Sequence, residues 1–297
     1  MKKIILGIFA TILNISVWAQ TGNYTLVFSD DFEGSSLDLS KWNIYKGYAA
    51  NQEQQYYTDN SSNLRVENGN LIITAKKEQA VTDRNYTSAK IESKGKGFIN
   101  RGKAEGRISL PSGAGTWPAF WMMPESNVYG GWPRSGEIDI MEHIGSDPTM
   151  ISHAVHTCNK NGNLGNNWFY KKDIDGVENN FHTYSIIWEN TKIMFYIDDV
   201  KSTTLFRNMV QDYKDWPFDQ NFYVILNLAL GGTMGGTIDD NIFNNPVEMK
   251  VDYVRLYQDN TPIGINPIEE DNSIEVYPTQ FSTEINIKTE NPIKIQL

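Results

Sequence analysis

Residues 136–142, Gly-Glu-Ile-Asp-Ile-Met-Glu, place three carboxylates in a segment that is otherwise apolar and β-prone. Charged side chains in such a segment cost free energy unless they are paired, lie in a cleft or take part in chemistry. In a regular strand, Glu137 and Asp139 share one face and Glu142 points to the other, whereas a β-bulge at residues 140–141 returns Glu142 to their face. A helix places Glu137 well away from both other acids. The segment is therefore either a bulged strand that presents three acids to one cleft or a stretch of scattered acids.

Three acids on one strand face suit the hydrolysis of a glycosidic bond. That reaction needs one carboxylate as nucleophile or base and one carboxylic acid with a raised pKa to protonate the leaving oxygen. Glu137 and Glu142 would form this pair, and Asp139 would hold Glu137 in place. Because three close carboxyls cannot all ionise near neutral pH, one of them should keep a proton. The alternative is an edge strand with three solvated surface acids.

Tryptophans lie close to the acidic segment in the sequence. Trp117 and Trp121 alternate onto one face of a predicted strand, and Trp132 lies just before the acids. Aromatic faces stack on the apolar faces of sugar rings much as they pack on one another. For each tryptophan alone, a place in the core is equally open. Three of them beside three acids favour a carbohydrate-binding cleft.

The rest of the chain reads as an all-β protein. Short β-branched or aromatic runs bounded by Gly, Asn or Asp occur at residues 71–75, 183–188, 193–197 and 222–228. Such short strands at regular spacing predict a β-sandwich. The formal net charge of −10 argues against nucleic acid or an anionic membrane as a partner, and Cys158, the single cysteine, excludes an intrachain disulfide. We expect a monomer.

The two ends of the chain differ in character from the middle. The sequence predicts a signal peptide over residues 1–19, which begins with Lys2 and Lys3, continues with an apolar run and ends with small residues before the cleavage site. No later apolar run is long enough for a transmembrane segment. A catalytic domain would follow over residues 20–259, with a linker rich in Pro, Gly and charge over residues 260–272. Residues 273–297 would form a short module of alternating strands. We therefore expect a secreted or cell-surface protein.

The acidic segment carries a family resemblance. Residues 136–145, Gly-Glu-Ile-Asp-Ile-Met-Glu-His-Ile-Gly, resemble the catalytic signature of glycoside hydrolase family 16, and more narrowly that of its laminarinase-like endo-β-1,3-glucanases. The similarity extends to residues 115–124, 181–184, 195–198, 224–229 and 251–257. The resemblance implies a β-jelly-roll sandwich of two antiparallel sheets with a concave glycan-binding groove, a polysaccharide substrate and a retaining double displacement. Residues 274–281 are similar to the start of the C-terminal sorting domain of type IX secretion, here partial.

The resemblance also implies roles for single residues. Glu137 would be the nucleophile, Glu142 the acid/base and Asp139 the assisting acid. The implied substrate-binding residues are Asn51, Trp117, Trp121, Trp132, His156 and Arg84. For His156 a structural role is equally open. Where the family often has arginine, this chain has Lys90.

Catalysis by this family needs no cofactor, but a structural calcium is common in it. The positions that would hold the ion are Glu33, Gly69 and Asp252. Two carboxylates and a carbonyl are suitable ligands for a hard cation. The alternative is that Glu33 and Asp252 are ordinary surface acids.

One departure from the family bears on the substrate. Residues 231–236 read Gly-Gly-Thr-Met-Gly-Gly, where laminarinases usually carry a tryptophan. Its absence leaves room for a mixed-linkage β-1,3/1,4-glucan or an agar-type galactan as the substrate of a related hydrolase. A third hypothesis is a non-catalytic glycan-binding protein, although binding alone gives no reason for three acids on one strand face.

Overall fold

A computed structural model describes residues 23–208 and 212–261 of the chain, together with the backbone of residues 275–277 and 286–288. The predicted signal peptide, the predicted linker and most of the predicted sorting module lie outside the described residues. By its internal contacts the chain divides into two units, residues 1–260 and 261–297. In the second unit, β-strands Glu275–Tyr277 and Asn286–Lys288 pair antiparallel. No helix among the described residues is both long and apolar enough to cross a lipid bilayer.

The regular secondary structure described in the first unit is almost entirely β-strand. In chain order they are β1 (Tyr24–Asp30), β2 (Asn43–Tyr45), β3 (Gly47–Tyr48), β4 (Gln55–Tyr57), β5 (Leu64–Glu67), β6 (Asn70–Ala75), β7 (Tyr86–Ser88), β8 (Lys90–Glu92), β9 (Phe98–Ile99), β10 (Gly102–Ser109), β11 (Thr116–Pro124), β12 (Glu137–His143), β13 (Met150–His156), β14 (Trp168–Asp173), β15 (Phe181–Trp188), β16 (Lys192–Ile197), β17 (Val200–Phe206), β18 (Phe222–Leu230) and β19 (Val247–Asp259). The helices are short: a 3₁₀ turn at Gly162–Leu164, an α-helical turn at Gly232–Gly235 and a 3₁₀ turn at Asp240–Asn244.

Two eight-stranded antiparallel sheets form the sandwich. The first, named here the outer sheet, has the order β17-β16-β15-β10-β19-β6-β5, with β1 also paired to β19. The second, the groove sheet, has the order β14-β13-β12-β11-β18-β8-β2, with β9 also paired to β18. The sequence-based prediction of a β-jelly-roll sandwich of two antiparallel sheets is confirmed. The acidic strand β12 lies inside the groove sheet, so the edge-strand alternative is wrong.

The core lies between the two sheets. Strand alternation sends one set of side chains inward: on β11, Phe120 and Met122 are fully buried, while Trp117, Ala119 and Trp121 point to the other face. Rings from opposite sheets meet edge to face, as Trp188 of β15 and Phe222 of β18 do with centroids 5.4 Å apart. Burial on this scale stabilises the fold without a disulfide. The outward face of the groove sheet does not contribute to this core and is available as a binding surface.

A third sheet borders this outward face. It is made of β3, β4 and β7, in which β4 pairs antiparallel to β3 and parallel to β7. This small sheet carries Asn51 and Glu53 on the turn between its first two strands, and Gly231 at the end of β18 forms a bridge with Glu53. One end of the groove face is therefore bounded by a fixed polar wall.

Candidate active site

The bulge predicted in the acidic strand is present. In the pairing of β12 with β13, Asp139 lies opposite Ala154 and Glu142 opposite Ser152, so that two residues of β12 stand against His153 alone. These two residues, Ile140 and Met141, are both fully buried in the core. Glu142 therefore returns to the groove face, and it lines one cleft together with Glu137 and Asp139. The scattered-acid alternative is wrong.

Indole N–H groups hold two of the three acids. The Trp132 Nε1–H donates to Glu137 Oε2 at 2.6 Å, and the Trp117 Nε1–H donates to Glu142 Oε1 at 3.0 Å. Each bond favours the ionised form of its carboxyl and fixes its rotamer. The two tryptophans thus contact the acids directly, in addition to offering an aromatic face to the cleft.

The three carboxyls form a coupled cluster. Burial, followed by the charge of Asp139, raises the pKa of Glu137 to about 8, and burial raises the pKa of Glu142 to about 7. Burial and the charge of Glu142 hold the pKa of Asp139 well above its ordinary value. Asp139 is also hydrogen-bonded to Glu137. The cluster therefore keeps protons near neutral pH and gives them up in steps that belong to the group as a whole.

His156 faces this cluster with its Nε2 nitrogen. Its Nδ1 accepts a hydrogen bond of 3.1 Å from the backbone N–H of Gly162, so the ring proton sits on Nε2. Nε2 lies 3.3 Å from Asp139 Oδ2 and 4.0 Å from Glu137 Oε1. Glu137, Asp139 and His156 are the one group of metal-binding residue types that the described part of the chain brings together in this way. Because Nε2 carries a proton, its lone pair is not offered to a cation, and the protonated nitrogen lies beside the acids, nearest to Asp139.

A second polar network, which the sequence did not reveal, lies on the far wall of the cleft. The Trp121 Nε1–H donates to Asn227 Oδ1 at 2.7 Å, and the Asn227 amide donates to the Tyr57 hydroxyl at 3.1 Å. Tyr57 in turn donates to Glu53 Oε2 at 3.1 Å, and Gln55 donates to the same oxygen at 2.7 Å. Burial raises the pKa of Glu53. The period-two spacing of Gln55 and Tyr57 was the available signal, since it puts both on one face of β4, and Glu53 continues the same spacing on the turn before the strand.

Lys90 is the second feature that the sequence did not assign. Its ammonium lies 4.8 Å from the Trp121 ring centroid and 5.0 Å from that of Tyr45, and the residue lines the same cleft. Burial lowers its pKa, against the nearby charges of Glu92, Glu53 and Glu137. A cation held between two aromatic faces fixes the orientation of both rings.

The structure brings most of the predicted substrate-binding residues to one place. Asn51, Trp117 and Trp121 line the cleft, while Trp132 and His156 flank it beside Glu137. Arg84 does not line the cleft itself but a neighbouring depression, which shares Glu53 with the cleft. There its guanidinium pairs with Asp83 at 3.0 Å and lies 4.9 Å from the Tyr48 ring.

The three predicted calcium ligands lie near the start of β6. The Glu33 carboxylate lies against the backbone of Gly69, with Oε1 3.5 Å from the point where a β-carbon would stand. Asp252 occupies a bulge of β19, just past the segment that pairs with β6. Its Oδ2 accepts a 2.6 Å bond from the Arg107 guanidinium. The oxygen-only donor set suits calcium, but an ion here would share Asp252 with Arg107.

Comparisons with known proteins agree on one family. The family model described as glycosyl hydrolases family 16 matches residues 51–255. A beta-glucanase of Rhodothermus marinus is 40% identical over 248 residues, which are 80% of this chain and 86% of the relative. A glucan endo-1,3-beta-glucosidase of Cryptopygus antarcticus is 38% identical over 72% of this chain and 83% of its own length. The X-ray structure of the laminarinase from Rhodothermus marinus superposes with a TM-score of 0.77 at 38% identity, covering 82% of this chain and all of that one.

Proposed function

Because the chain belongs to glycosyl hydrolases family 16 and is a glycoside hydrolase, we propose that it is an endo-acting β-1,3-glucanase of the laminarin-degrading type. The observation that carries this proposal is the bulge in β12, which gathers Glu137, Asp139 and Glu142 in one tryptophan-lined cleft. The two relatives and the laminarinase structure described above support the linkage.

The proposed reaction is a double displacement with retention of configuration. Glu137, as the carboxylate, attacks the anomeric carbon while Glu142 gives its proton to the leaving glycosidic oxygen. The glycosyl ester on Glu137 is then hydrolysed by a water whose proton Glu142 takes back, which restores both groups. The active form therefore carries one negative charge on the cluster. In the free protein the higher pKa, about 8, belongs to Glu137 and the lower, about 7, to Glu142, so the reaction uses the form in which the charge lies on Glu137 while Asp139 and Glu142 hold protons. The Trp132 N–H donates to Glu137 and favours the charge there.

Digestion of defined polysaccharides tests the activity. The mature protein and its Glu137→Gln variant are incubated with laminarin, mixed-linkage β-1,3/1,4-glucan and agarose, and released reducing ends are measured. We expect release from laminarin by the wild type and a loss of at least a thousandfold in Glu137→Gln, since that amide is a poor nucleophile. Release from none of the three would contradict the enzymatic proposal and favour glycan binding alone. Activity retained in Glu137→Gln would contradict the assigned nucleophile.

The stereochemical outcome has its own test. Proton NMR of the first products distinguishes the anomers before mutarotation. A retaining enzyme releases the β-anomer first, and initial appearance of the α-anomer would contradict the double displacement.

Mixed-linkage glucan is the second candidate substrate. The groove end beside Asn51 is built from the short turn Gly232–Gly235, whose Thr233 N–H donates to the Asn51 carbonyl at 3.0 Å. No tryptophan stands in residues 231–236 to stack on a sugar ring there. Faster cleavage of mixed-linkage glucan than of laminarin would favour this alternative, and cleavage of agarose would favour the galactan hypothesis.

We propose a structural calcium held by Glu33, Asp252 and the carbonyl of Gly69, with a role in stability and none in catalysis. Added calcium should raise the melting temperature of the wild type, and an excess of EDTA should lower it. The Asp252→Asn variant should lose this response. An equal response in Asp252→Asn would exclude the site.

We also propose that the protein is secreted or held at the cell surface, as residues 1–19 and 273–297 predict. Expression of the full gene in its natural host, followed by N-terminal sequencing of the exported protein, tests cleavage after Ala19. A protein that retains residues 1–19 inside the cell would contradict this proposal.

A further inference from the structure

A fully buried histidine stands opposite the bulge of the acidic strand. His153 of β13 is the single residue that faces Ile140 and Met141 of β12. Its Nδ1 lies 2.7 Å from the Ile140 carbonyl oxygen, and its Nε2 lies 3.0 Å from Ser202 Oγ on β17 of the outer sheet. The imidazole thus connects the bulge in one sheet to a hydroxyl in the other.

The contacts of the ring fix its tautomer. A carbonyl oxygen only accepts, so Nδ1 carries the ring proton, and Nε2 accepts from the Ser202 hydroxyl. Burial lowers the pKa of His153 to about 4, which keeps the ring neutral in the range where glycosidases work. Phe195 packs against the imidazole ring, with the two ring centroids 4.8 Å apart.

The bulge needs a partner of this kind. An extra residue interrupts the strand ladder locally, and a buried carbonyl without a hydrogen bond destabilises the fold. If β12 relaxed to a regular strand, a shift by one residue would turn Glu142 away from Glu137. The hydrogen bond to the Ile140 carbonyl favours the bulged form over the regular one.

We propose that His153 is a positioning residue for the hydrolytic reaction: by donating its Nδ1–H to the Ile140 carbonyl, it holds the bulge that places Glu142 beside Glu137. This inference rests on the proposed function for its kinetic consequence, and on the fold alone for its structural one. It adds to the site a residue that touches neither substrate nor catalytic carboxyl.

Two amide variants separate this role from simple core packing. In His153→Asn the amide nitrogen can occupy the place of Nδ1 and still donate to the Ile140 carbonyl. In His153→Gln the amide reaches the place of Nε2 and the bond to Ile140 is lost. Both variants remove similar volume from the core, so a merely structural role predicts similar losses in both.

The expected kinetic result is a difference between the two variants. Displacement of a catalytic group by about 1 Å can cost about a hundredfold in rate. We expect kcat on laminarin to fall by about ten- to a hundredfold in His153→Gln with KM nearly unchanged, and to stay within about threefold of wild type in His153→Asn. The basic limb of the pH profile should also differ between the two variants, because burial and, less strongly, the charge of Glu137 raise the pKa of Glu142, and both depend on where its carboxyl lies. The other groups that face this carboxyl are Asp139, the Trp117 N–H and His156.

His143 supplies a matched control. It is equally buried, and its Nδ1 lies 2.7 Å from the Met150 carbonyl, which is outside the bulge. The His143→Asn and His143→Gln variants measure what the loss of a buried imidazole–carbonyl bond costs in melting temperature. We expect the basic limb of the pH profile to lie at the same pH in His143→Asn and His143→Gln.

A structural measurement does not depend on activity. Crystal structures of His153→Asn and His153→Gln should show the wild-type bulge at residues 140–141 in the first, and in the second a bulge in which Glu142 is displaced from Glu137 by about 1 Å. An undisplaced Glu142 in His153→Gln, or equal kcat and equal limb positions in the two variants, would overturn the proposal. Absence of hydrolysis by the wild type would instead overturn the proposed function, and the position of Glu142 in the crystals would still decide the role of His153.

Discussion

Replacing Trp117 with phenylalanine should shift one limb of the pH profile and leave the other in place. The indole N–H of Trp117 donates to Glu142 Oε1 at 3.0 Å, in a position almost closed to solvent. This bond stabilises the carboxylate more than the carboxylic acid, so its loss raises the pKa of Glu142. Because Glu142 must be protonated to act as the acid, the basic limb should move to higher pH.

The size of the shift follows from the strength of the bond. A hydrogen bond to a charged group contributes about 1.5–3 kcal/mol, and one to a neutral group about 0.5–1.5 kcal/mol. The difference is about 1–1.5 kcal/mol, and 1.36 kcal/mol correspond to one pKa unit. The basic limb of kcat/KM should therefore rise by about one unit.

The assay is kcat/KM on laminarin, measured by reducing ends between about pH 4 and 10. Trp121→Phe is the matched control, since its indole N–H donates to the neutral amide of Asn227 at 2.7 Å. That variant also loses an indole hydrogen bond in the same cleft but none to a carboxyl, so its limbs should stay within about 0.3 units of wild type. A basic limb that is unmoved or lowered in Trp117→Phe, or equally raised in Trp121→Phe, would refute the reasoning.

Three further results are expected from the same geometry. Trp132→Phe removes the N–H that donates to Glu137 Oε2, so the pKa of Glu137 rises and the acidic limb, not the basic one, should move up by about one unit in the same assay. Glu142→Gln should be more stable than wild type at pH 8 and equally stable at pH 4. The reason is that folding raises the pKa of the Glu142 carboxyl from 4.5 to about 7, so in the wild type the free energy of unfolding falls as pH rises through that interval, by about 3 kcal/mol at most. Melting temperatures of both proteins at the two pH values check the sign. Lys90→Met removes the cation between two rings of the cleft wall and should raise KM for laminarin several-fold with kcat within about twofold; a loss confined to kcat would contradict its placement on the binding wall.

The acidic strand was predictable because its pattern is local. Side-chain alternation makes the spacing of Glu137, Asp139 and Glu142 incompatible with a regular strand, and the bulge is the smallest correction that brings them together. The same alternation placed Trp117 and Trp121 on one face of β11. These conclusions need no knowledge of which strands are neighbours.

The far wall was not predictable for the opposite reason. Tyr57 of β4 reaches Asn227 of β18, and Lys90 of β8 reaches Trp121 of β11, only after the order of strands is known. Arg84, placed in the groove by its position in the sequence, lines the neighbouring depression that shares Glu53 with the cleft. The partnership of His153 with Ile140 likewise depends on strand register.

The cleft is built so that its chemistry and its shape come from different strands. All three acids lie on β12, whereas the aromatic, amide and lysine side chains of the wall lie on β2, β3, β4, β8, β11 and β18 and on the turn between β3 and β4. The buried carboxyls lower the stability of the fold when they are ionised, since their replacement by neutral side chains should raise the free energy of unfolding. A lineage that lost one acid would therefore gain stability and keep a formed sugar cleft. The evolution of a lectin from such a hydrolase would increase the free energy of unfolding, whereas the evolution of a hydrolase from such a lectin would decrease it.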